Sequence, residues 1–378
     1  MERKVKEIGL YIHIPFCVSK CIYCDFLSGP SDYETRKVYV DALCNEIQAF
    51  AEKYSTEYIV KTVFFGGGTP SVLENDLMEK ILKLINEKFV FKETCEFTIE
   101  CNPGTVKYEQ LCMFRDYGVN RLSFGLQSAD NIELKKLGRI HTFEDFLLSY
   151  EYSKKAGFSN VNADVMSGLM NQTVDSYVNT LKKLMPLELT HISAYSLIIE
   201  EGTPLHGMHQ QGTIVLPDED SERKMYYETG RVLENYGYYR YEISNYSKKG
   251  YECRHNIIYW QRGDYKGFGL GAASLKGDVR YANVSDMKDY ISGVAPSAEV
   301  LTKEDCMGEF VFLGLRMMRG IDTEEFKRIF DKDYFSVFSE ATEKHLTKGL
   351  LVREGNKIKL TEKGIDVSNY VFSDFLLT

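Results

Sequence analysis

From residue 8 to about 200, short apolar runs alternate with longer stretches whose apolar residues recur at helical spacing. The runs Gly9–Ile14, Thr62–Phe65, Glu96–Glu100, Arg121–Gly125, Val161–Met166 and Ile192–Leu197 are mostly rich in β-branched or aromatic residues and end in turn formers, as strands do. Between them the spacing predicts helices. The first opens at the N-cap pair Ser31–Asp32 and sets Val40, Leu43, Cys44 and Ile47 on one face at i, i+3, i+4 and i+7. Others are predicted near 75–88, 107–117, 142–156 and 173–185. Repeated strand–helix units imply a parallel sheet with right-handed crossovers. Six units without a dinucleotide fingerprint fit an α/β partial (β/α)6 barrel better than a Rossmann sheet. In either arrangement, chemistry belongs at the C-terminal ends of the strands.

Beyond residue 200 the pattern changes. A loop over 200–216 leads to a helix near 219–236, a tyrosine-rich strand Tyr238–Ile243 and a polar, glycine-rich stretch from Ser244 to about Gly277. From about 302, helices precede a hairpin signal, Leu351–Arg353 and Lys357–Leu360 around Gly355–Asn356. The expected organisation is a partial barrel over 1–200, an extension of it over 201–300, and a small winged-helix-like α+β domain over 301–378.

Composition narrows the partners. Lysine and arginine number 46 against 55 acidic residues, a net charge of −9, and no basic run stands out. Nucleic acid and anionic membrane surfaces are therefore excluded as expected partners, and the C-terminal module is not expected to bind DNA. Met1 leads through Glu-Arg-Lys-Val-Lys-Glu into the first strand, with no apolar stretch suited to a signal peptide or membrane helix. A cytoplasmic, reducing location follows as the expectation for the nine cysteines. Six of these are scattered singly, whereas Cys17, Cys21 and Cys24 lie within eight residues, which points to a metal site and not a disulfide framework.

The first strand runs into Tyr11-Ile-His-Ile-Pro-Phe-Cys17-Val-Ser-Lys-Cys21-Ile-Tyr-Cys24-Asp-Phe. Thiolates are preferred ligands of iron–sulfur clusters, which usually take four; three leave one iron open for chemistry. Two other readings compete: cysteines with no metal, and a zinc site completed by His13 or a distant ligand, although closed zinc sites usually pair two such knuckles. Phe65-Gly66-Gly67-Gly68-Thr69-Pro70 follows the second strand, where glycines either let backbone approach a ligand or simply make a turn. Glu100, before Cys-Asn-Pro, is either a ligand group or a helix cap. Gln127 ends the fourth strand, Arg139 follows, and Asp164 lies inside the fifth, where an unpaired buried carboxylate is costly.

CxxxCxxC after the first strand, with Tyr23 before the third cysteine, resembles the signature of the radical S-adenosylmethionine (SAM) superfamily. The resemblance implies a [4Fe–4S] cluster on Cys17, Cys21 and Cys24. It implies that the amino and carboxylate groups of SAM chelate the fourth iron, and that SAM is cleaved to a 5′-deoxyadenosyl radical. By match to porphyrin-related members, it assigns SAM contacts to Tyr11, Tyr23, Gly67, Gly68, Thr69, Glu100, Gln127, Arg139 and Asp164.

Tyr-Ile-His-Ile-Pro-Phe-Cys, Gly-Gly-Gly-Thr-Pro, Ser-Phe-Gly-Leu-Gln-Ser and Arg-Ile-His-Thr resemble, over nearly the whole chain, the oxygen-independent coproporphyrinogen III oxidase group. That group holds true oxidases and the HemW heme chaperones. Oxidases carry a further cysteine two residues after the third, where this chain has Phe26, and a long extension before the first strand, which this chain lacks. Cys253-Arg-His255-Asn256-Ile-Ile-Tyr259-Trp260 resembles the HNxxYW segment of the HemW branch. Its imidazole is suited to heme iron and its aromatics to stacking on a macrocycle; a structural histidine beside a buried aromatic pair is the competing reading. Cys253 reads better as a small buried residue than as a heme thiolate. The resemblance thus implies a chaperone that binds heme, with His255 as candidate ligand, and transfers it to an acceptor hemoprotein. It would cleave SAM without coproporphyrinogen oxidase activity, and would meet a membrane only through an acceptor. The alternative is the oxidase itself, which decarboxylates coproporphyrinogen III to protoporphyrinogen IX. HNxxYW argues against a radical SAM methyltransferase.

Overall fold

The computed structural model describes residues 5–377; Met1–Lys4, on which the reading of the amino terminus partly rests, and Thr378 lie outside them. Strands β1 (Lys6–Ile14), β2 (Tyr58–Gly67), β3 (Phe91–Cys101), β4 (Arg121–Gln127), β5 (Asn160–Ser167) and β6 (His191–Ser196) run parallel in chain order. They are the six strands expected from the apolar runs. The intervening helices are α1 (Tyr33–Tyr54), α2 (Asn75–Lys88), α3 (Tyr108–Asp116), α4 (Asn131–Lys136), α5 (Phe143–Lys155) and α6 (Val174–Leu184). Helix α1 starts where the Asp32 side chain accepts the Thr35 amide, and it buries Val40, Leu43, Cys44 and Ile47. Each such side chain contributes about 1.5–3 kcal/mol when fully removed from water.

The sheet extends beyond six strands. Helices α7 (Pro204–Gln210) and α8 (Glu219–Asn235) lead to β7 (Tyr239–Glu242) and β8 (Asn245–Ser247), which add antiparallel beside β6. The polar stretch that follows is not a simple connection. It forms α9 (Arg254–Trp260), then β9 (Tyr265–Phe268), which pairs parallel with the outer edge of β1. Strands β10 (Ala273–Lys276) and β11 (Val279–Ala282), helix α10 (Met287–Ile291) and β12 (Ser297–Val300) complete that edge. The spatial order is β12-β11-β10-β9-β1-β2-β3-β4-β5-β6-β8-β7, so β1 and β6 do not pair and the barrel is open. Half-buried polar contacts fasten the added edge: Glu46 of α1 accepts from Lys266 Nζ at 2.7 Å, the Gly269 amide at 2.9 Å and Tyr290 OH at 2.9 Å.

Strand alternation gives the sheet two unlike faces. Leu10, Val63, Phe65, Phe97, Ile99, Leu122, Phe124 and Val161 pack outward beneath the helices. The alternate positions, including Thr62, Glu96, Thr98, Arg121, Asn162 and His191, fill the interior with buried polar groups. The C-terminal module comprises α11 (Lys303–Gly314), β13 (Ile321–Asp322), α12 (Thr323–Phe330), α13 (Tyr334–Thr347) and the hairpin β14 (Leu351–Glu354) and β15 (Lys357–Leu360). Phe326, Phe330, Tyr334, Phe338 and Phe375 form its aromatic core. Among the described residues, no helix is long and apolar enough to cross a membrane.

Candidate functional site

At the C-terminal ends of β2 to β6 lies a cavity of about 450 Å³. The cysteine loop covers one end of it. Past β1, the backbone closes on itself where the Cys17 amide donates to Gly29 O at 3.0 Å and the Gly29 amide to Pro15 O at 3.1 Å. Phe16 anchors this neck, buried edge-on against Tyr39 at 5.2 Å. Beyond the neck, Cys17 is buried, while Cys21 and Cys24 are half-buried; all three are free thiols lining the cavity. Cys17 Sγ lies 3.4 Å from Thr69 Oγ1, and Arg139 Nη1 lies 3.5 Å from Cys21 Sγ. Burial raises the Cys24 thiol pKa above its ordinary value. Among the described residues, no three His, Cys, Asp or Glu side chains converge on a point that would hold a single ion. Three soft donors on one loop, facing open space, fit a bulkier sulfur-bridged cluster.

The glycine run packs that loop onto the sheet. Gly67 takes φ +104°, a left-handed value suited to glycine, and a Cβ there would run into the His13 ring. A Cβ on Gly68 would sit 2.7 Å from Phe16 O and 2.8 Å from Ile14 O. Bare backbone instead lets the Gly68 amide reach Ile14 O at 2.9 Å and the Thr69 amide reach Phe16 O at 2.8 Å.

The opposite wall is acidic and strained. Glu100 is pushed up to about 8, first by burial and then by repulsion from Asp164. Burial also raises Asp164, which accepts from Asn162 Nδ2 at 2.7 Å. Gln127 holds φ +74°, unusual for a side-chain-bearing residue and the kind of strain found at functional sites. Its Oε1 accepts from Tyr195 OH at 3.1 Å. Arg139 crosses between the walls, donating to Asn102 Oδ1 at 2.8 Å and to Gly125 O, with Nε buried and unpartnered. Tyr23 sits beside it, its phenol pKa raised by burial. Cys17, Cys21, Cys24, Tyr23, Gly67, Gly68, Thr69, Glu100, Gln127, Arg139 and Asp164 thus share one cavity.

Tyr11 and His255 do not join them. Tyr11 OH pairs with His13 Nδ1 at 3.1 Å, and its ring lies 6.5 Å from that of His255, beneath the cavity. His255 is engaged on both nitrogens: Nδ1 with Thr62 Oγ1 and Nε2 with Tyr259 OH, each at 2.7 Å. It stacks on Phe64 at 5.1 Å, and burial drives its pKa down to about 3. Neither aromatic of the segment faces the cavity. The Tyr259 ring meets Tyr265 at 4.6 Å, and the Arg316 guanidinium covers Trp260 at 4.3 Å. In this conformation the imidazole and both aromatics of the segment hold it in place. Cys253 is buried, its thiol pKa pushed up to about 12 by burial.

Sequence reasoning missed Asn102, Ser193, Tyr195 and Asn256, which also line the cavity. Period-two spacing would have found three of them. Asn102 follows Glu100 by two positions, and Ser193 and Tyr195 alternate on β6 as Asn162 and Asp164 do on β5.

Comparison with known proteins places the chain. The Radical SAM superfamily matches residues 11–184 and the HemN C-terminal domain residues 301–367. The heme chaperone HemW of Lactococcus lactis is 36% identical, with the alignment covering 98% of each chain. That of Bacillus subtilis is 35% identical over 97% of this chain and 98% of its own. The solved structure of coproporphyrinogen III oxidase (HemN) from Escherichia coli, a radical SAM enzyme, matches with TM-score 0.85 at 24% identity. It covers 99% of this chain and 91% of that one. This last likeness establishes the fold.

Proposed function

The chain belongs to the radical SAM superfamily and, within it, to the HemW family, and on that footing we propose that it binds heme and passes it to an acceptor hemoprotein. Its resident cofactors are those of the superfamily, a [4Fe–4S] cluster and SAM. Cys17, Cys21 and Cys24 would hold the cluster. Gly67, Gly68, Thr69, Glu100, Gln127, Arg139 and Asp164 would surround SAM, with Tyr23 at the loop side. When bound, the cluster supplies one-electron reduction of SAM. The protein's own contribution is placement. Arg139 ties the cysteine loop to β3 and β4 through Cys21, Asn102 and Gly125. Glu100, with its raised pKa, is a group able to hold a proton beside the ligand near neutral pH. The observation that supports this reading best is the meeting, in one cavity, of three unpaired thiols with a buried carboxylate pair and an arginine.

The test is an anaerobic heme titration of the cluster-reconstituted chain, followed by visible absorption, with coproporphyrinogen III turnover assayed in parallel. One-to-one heme binding without turnover is the expected result. Turnover to protoporphyrinogen IX without saturable heme binding would overturn it in favour of the oxidase.

A further inference from the structure

Helix α9 carries the His-Asn-x-x-Tyr-Trp segment, and nearly every polar or aromatic group on it is engaged by the protein. At its start, buried Glu96 accepts the Arg254 and His255 amides, each at 3.0 Å, and the Cys253 amide donates to Tyr241 OH at 3.2 Å. His255 is clamped between Thr62 and Tyr259, and Trp260 lies under Arg316. Even β1 makes room: a Cβ on Gly9 would sit 3.0 Å from Ile258 and 3.4 Å from the His255 ring. The helix is a rigid mount fixed to β1, β2 and β3.

Trp260 Nε1 is buried without a partner away from the cavity, and on the cavity side one side chain stands open. Asn256, a turn step of about 100° beyond His255, is half-buried and lines the cavity floor. Its carboxamide makes no hydrogen bond to any described residue and is open to the cavity. Its neighbours on that side are already donating. Asn245 Nδ2 gives to Glu242 at 2.5 Å, Ser193 Oγ to Asn162 at 3.3 Å and Tyr195 OH to Gln127 at 3.1 Å. Arg139 is likewise engaged by Asn102, Gly125 and Cys21. Of the residues of α9, Asn256 alone lines the cavity, and its amide, like Gln127 Nε2, is a donor left for a ligand.

We propose that Asn256, not His255, is the residue through which this segment touches ligand, and that its amide donates to a propionate carboxylate of the bound tetrapyrrole. The proposal rests on the heme-chaperone reading. His255 acts as a positioning residue whose two hydrogen bonds orient the helix. A neutral amide suits this place, because Glu100 and Asp164 already put carboxyl groups in the cavity and a free lysine or arginine there would pair with them.

Heme, heme dimethyl ester and SAM are titrated separately into the reconstituted full chain as wild type, Asn256→Ala, Asn256→Asp and His255→Ala, with thermal melting of each. Asn256→Ala is expected to weaken heme three- to tenfold, the effect of about one hydrogen bond. SAM affinity and melting temperature should not move. Asn256→Asp should weaken heme further, because two carboxylates then face each other. The dimethyl ester should bind wild type and Asn256→Ala alike. Unchanged heme affinity in Asn256→Ala, a loss of SAM affinity in its place, or equal discrimination of heme and its ester would each overturn the proposal. So would weakened heme binding confined to His255→Ala. Failure of the wild type itself to bind heme removes the chaperone reading and this inference with it. That outcome differs from a failure seen only in the comparison of variants.

Discussion

The cysteine loop and helix α9 carry the two most distinctive motifs of the chain, and they use their donor atoms in opposite ways. The loop keeps three thiols outside any disulfide and turned towards a cavity, held by nothing closer than the 3.4 Å and 3.5 Å contacts of Cys17 and Cys21. The helix turns its imidazole inward and engages both nitrogens, leaving the adjacent amide open to the cavity. Residue type alone marks both as ligand sites. What separates them is whether each group's hydrogen-bonding capacity is already met by the fold. An unmet buried group invites a ligand; a satisfied one resists it, because a ligand must first break what is there.

The contrast can be broken most sharply at the loop. Cys21→Ala is expected to abolish iron retention and cluster absorption after anaerobic reconstitution, while the apo protein melts within about 2 °C of wild type, as half-exposed substitutions away from the core do. A large loss of apo stability would mean that the thiol is structural. His255→Ala should behave inversely. It strands the Thr62 and Tyr259 hydroxyls and leaves a void, so stability should fall by about 2–4 kcal/mol in denaturant unfolding. Iron content after reconstitution should stay at the wild-type level.

The pH response gives the smallest effect, and the helix and the cavity wall opposite the loop should respond with opposite sign. The folded pKa of His255, about 3, lies below its ordinary value of about 6.5. The unfolded chain therefore binds the extra proton, and this contribution is present above about pH 6.5 and lost as pH falls towards 3. The folded pKa of Glu100, about 8, lies above its ordinary value of about 4.3. Its contribution is present below about pH 4.3 and lost as pH rises through 8. Stability measured against pH for Glu100→Gln should show a flatter alkaline side than wild type and the same acid side. A steeper alkaline side would contradict the buried, uncompensated carboxyl.

Much of the barrel was legible because its signals are local. Helix α1 announces itself through Asp32 and the Val40–Ile47 face, and each parallel strand is an apolar run closed by a turn former. The outer edge was not legible. Tyr265–Phe268 is four residues long and includes Gly267; its partner is Gly9–Ile12, more than two hundred residues earlier. No local pattern encodes that pairing. Helices α4, α7 and α9 are too short for helical periodicity to register. Within the site, the residues singled out by motif spacing, the glycines, Glu100, Gln127, Arg139 and Asp164, line one cavity. Spacing could not tell which way His255 faces, since that depends on Thr62 of β2, 193 residues earlier, as well as on Tyr259 of its own helix.

The neck formed by Cys17 and Gly29 bears on how the protein is made and repaired. With Pro15, Phe16 and Gly29 locked to one another and to Tyr39, the twelve-residue excursion between Phe16 and Gly29 hangs from a finished scaffold. Its three thiols stand outside the hydrophobic core of the sheet. A cluster held there would thus meet a preformed cradle. Oxidative loss of that cargo would leave a chain fit to be charged again without passing through an unfolded state.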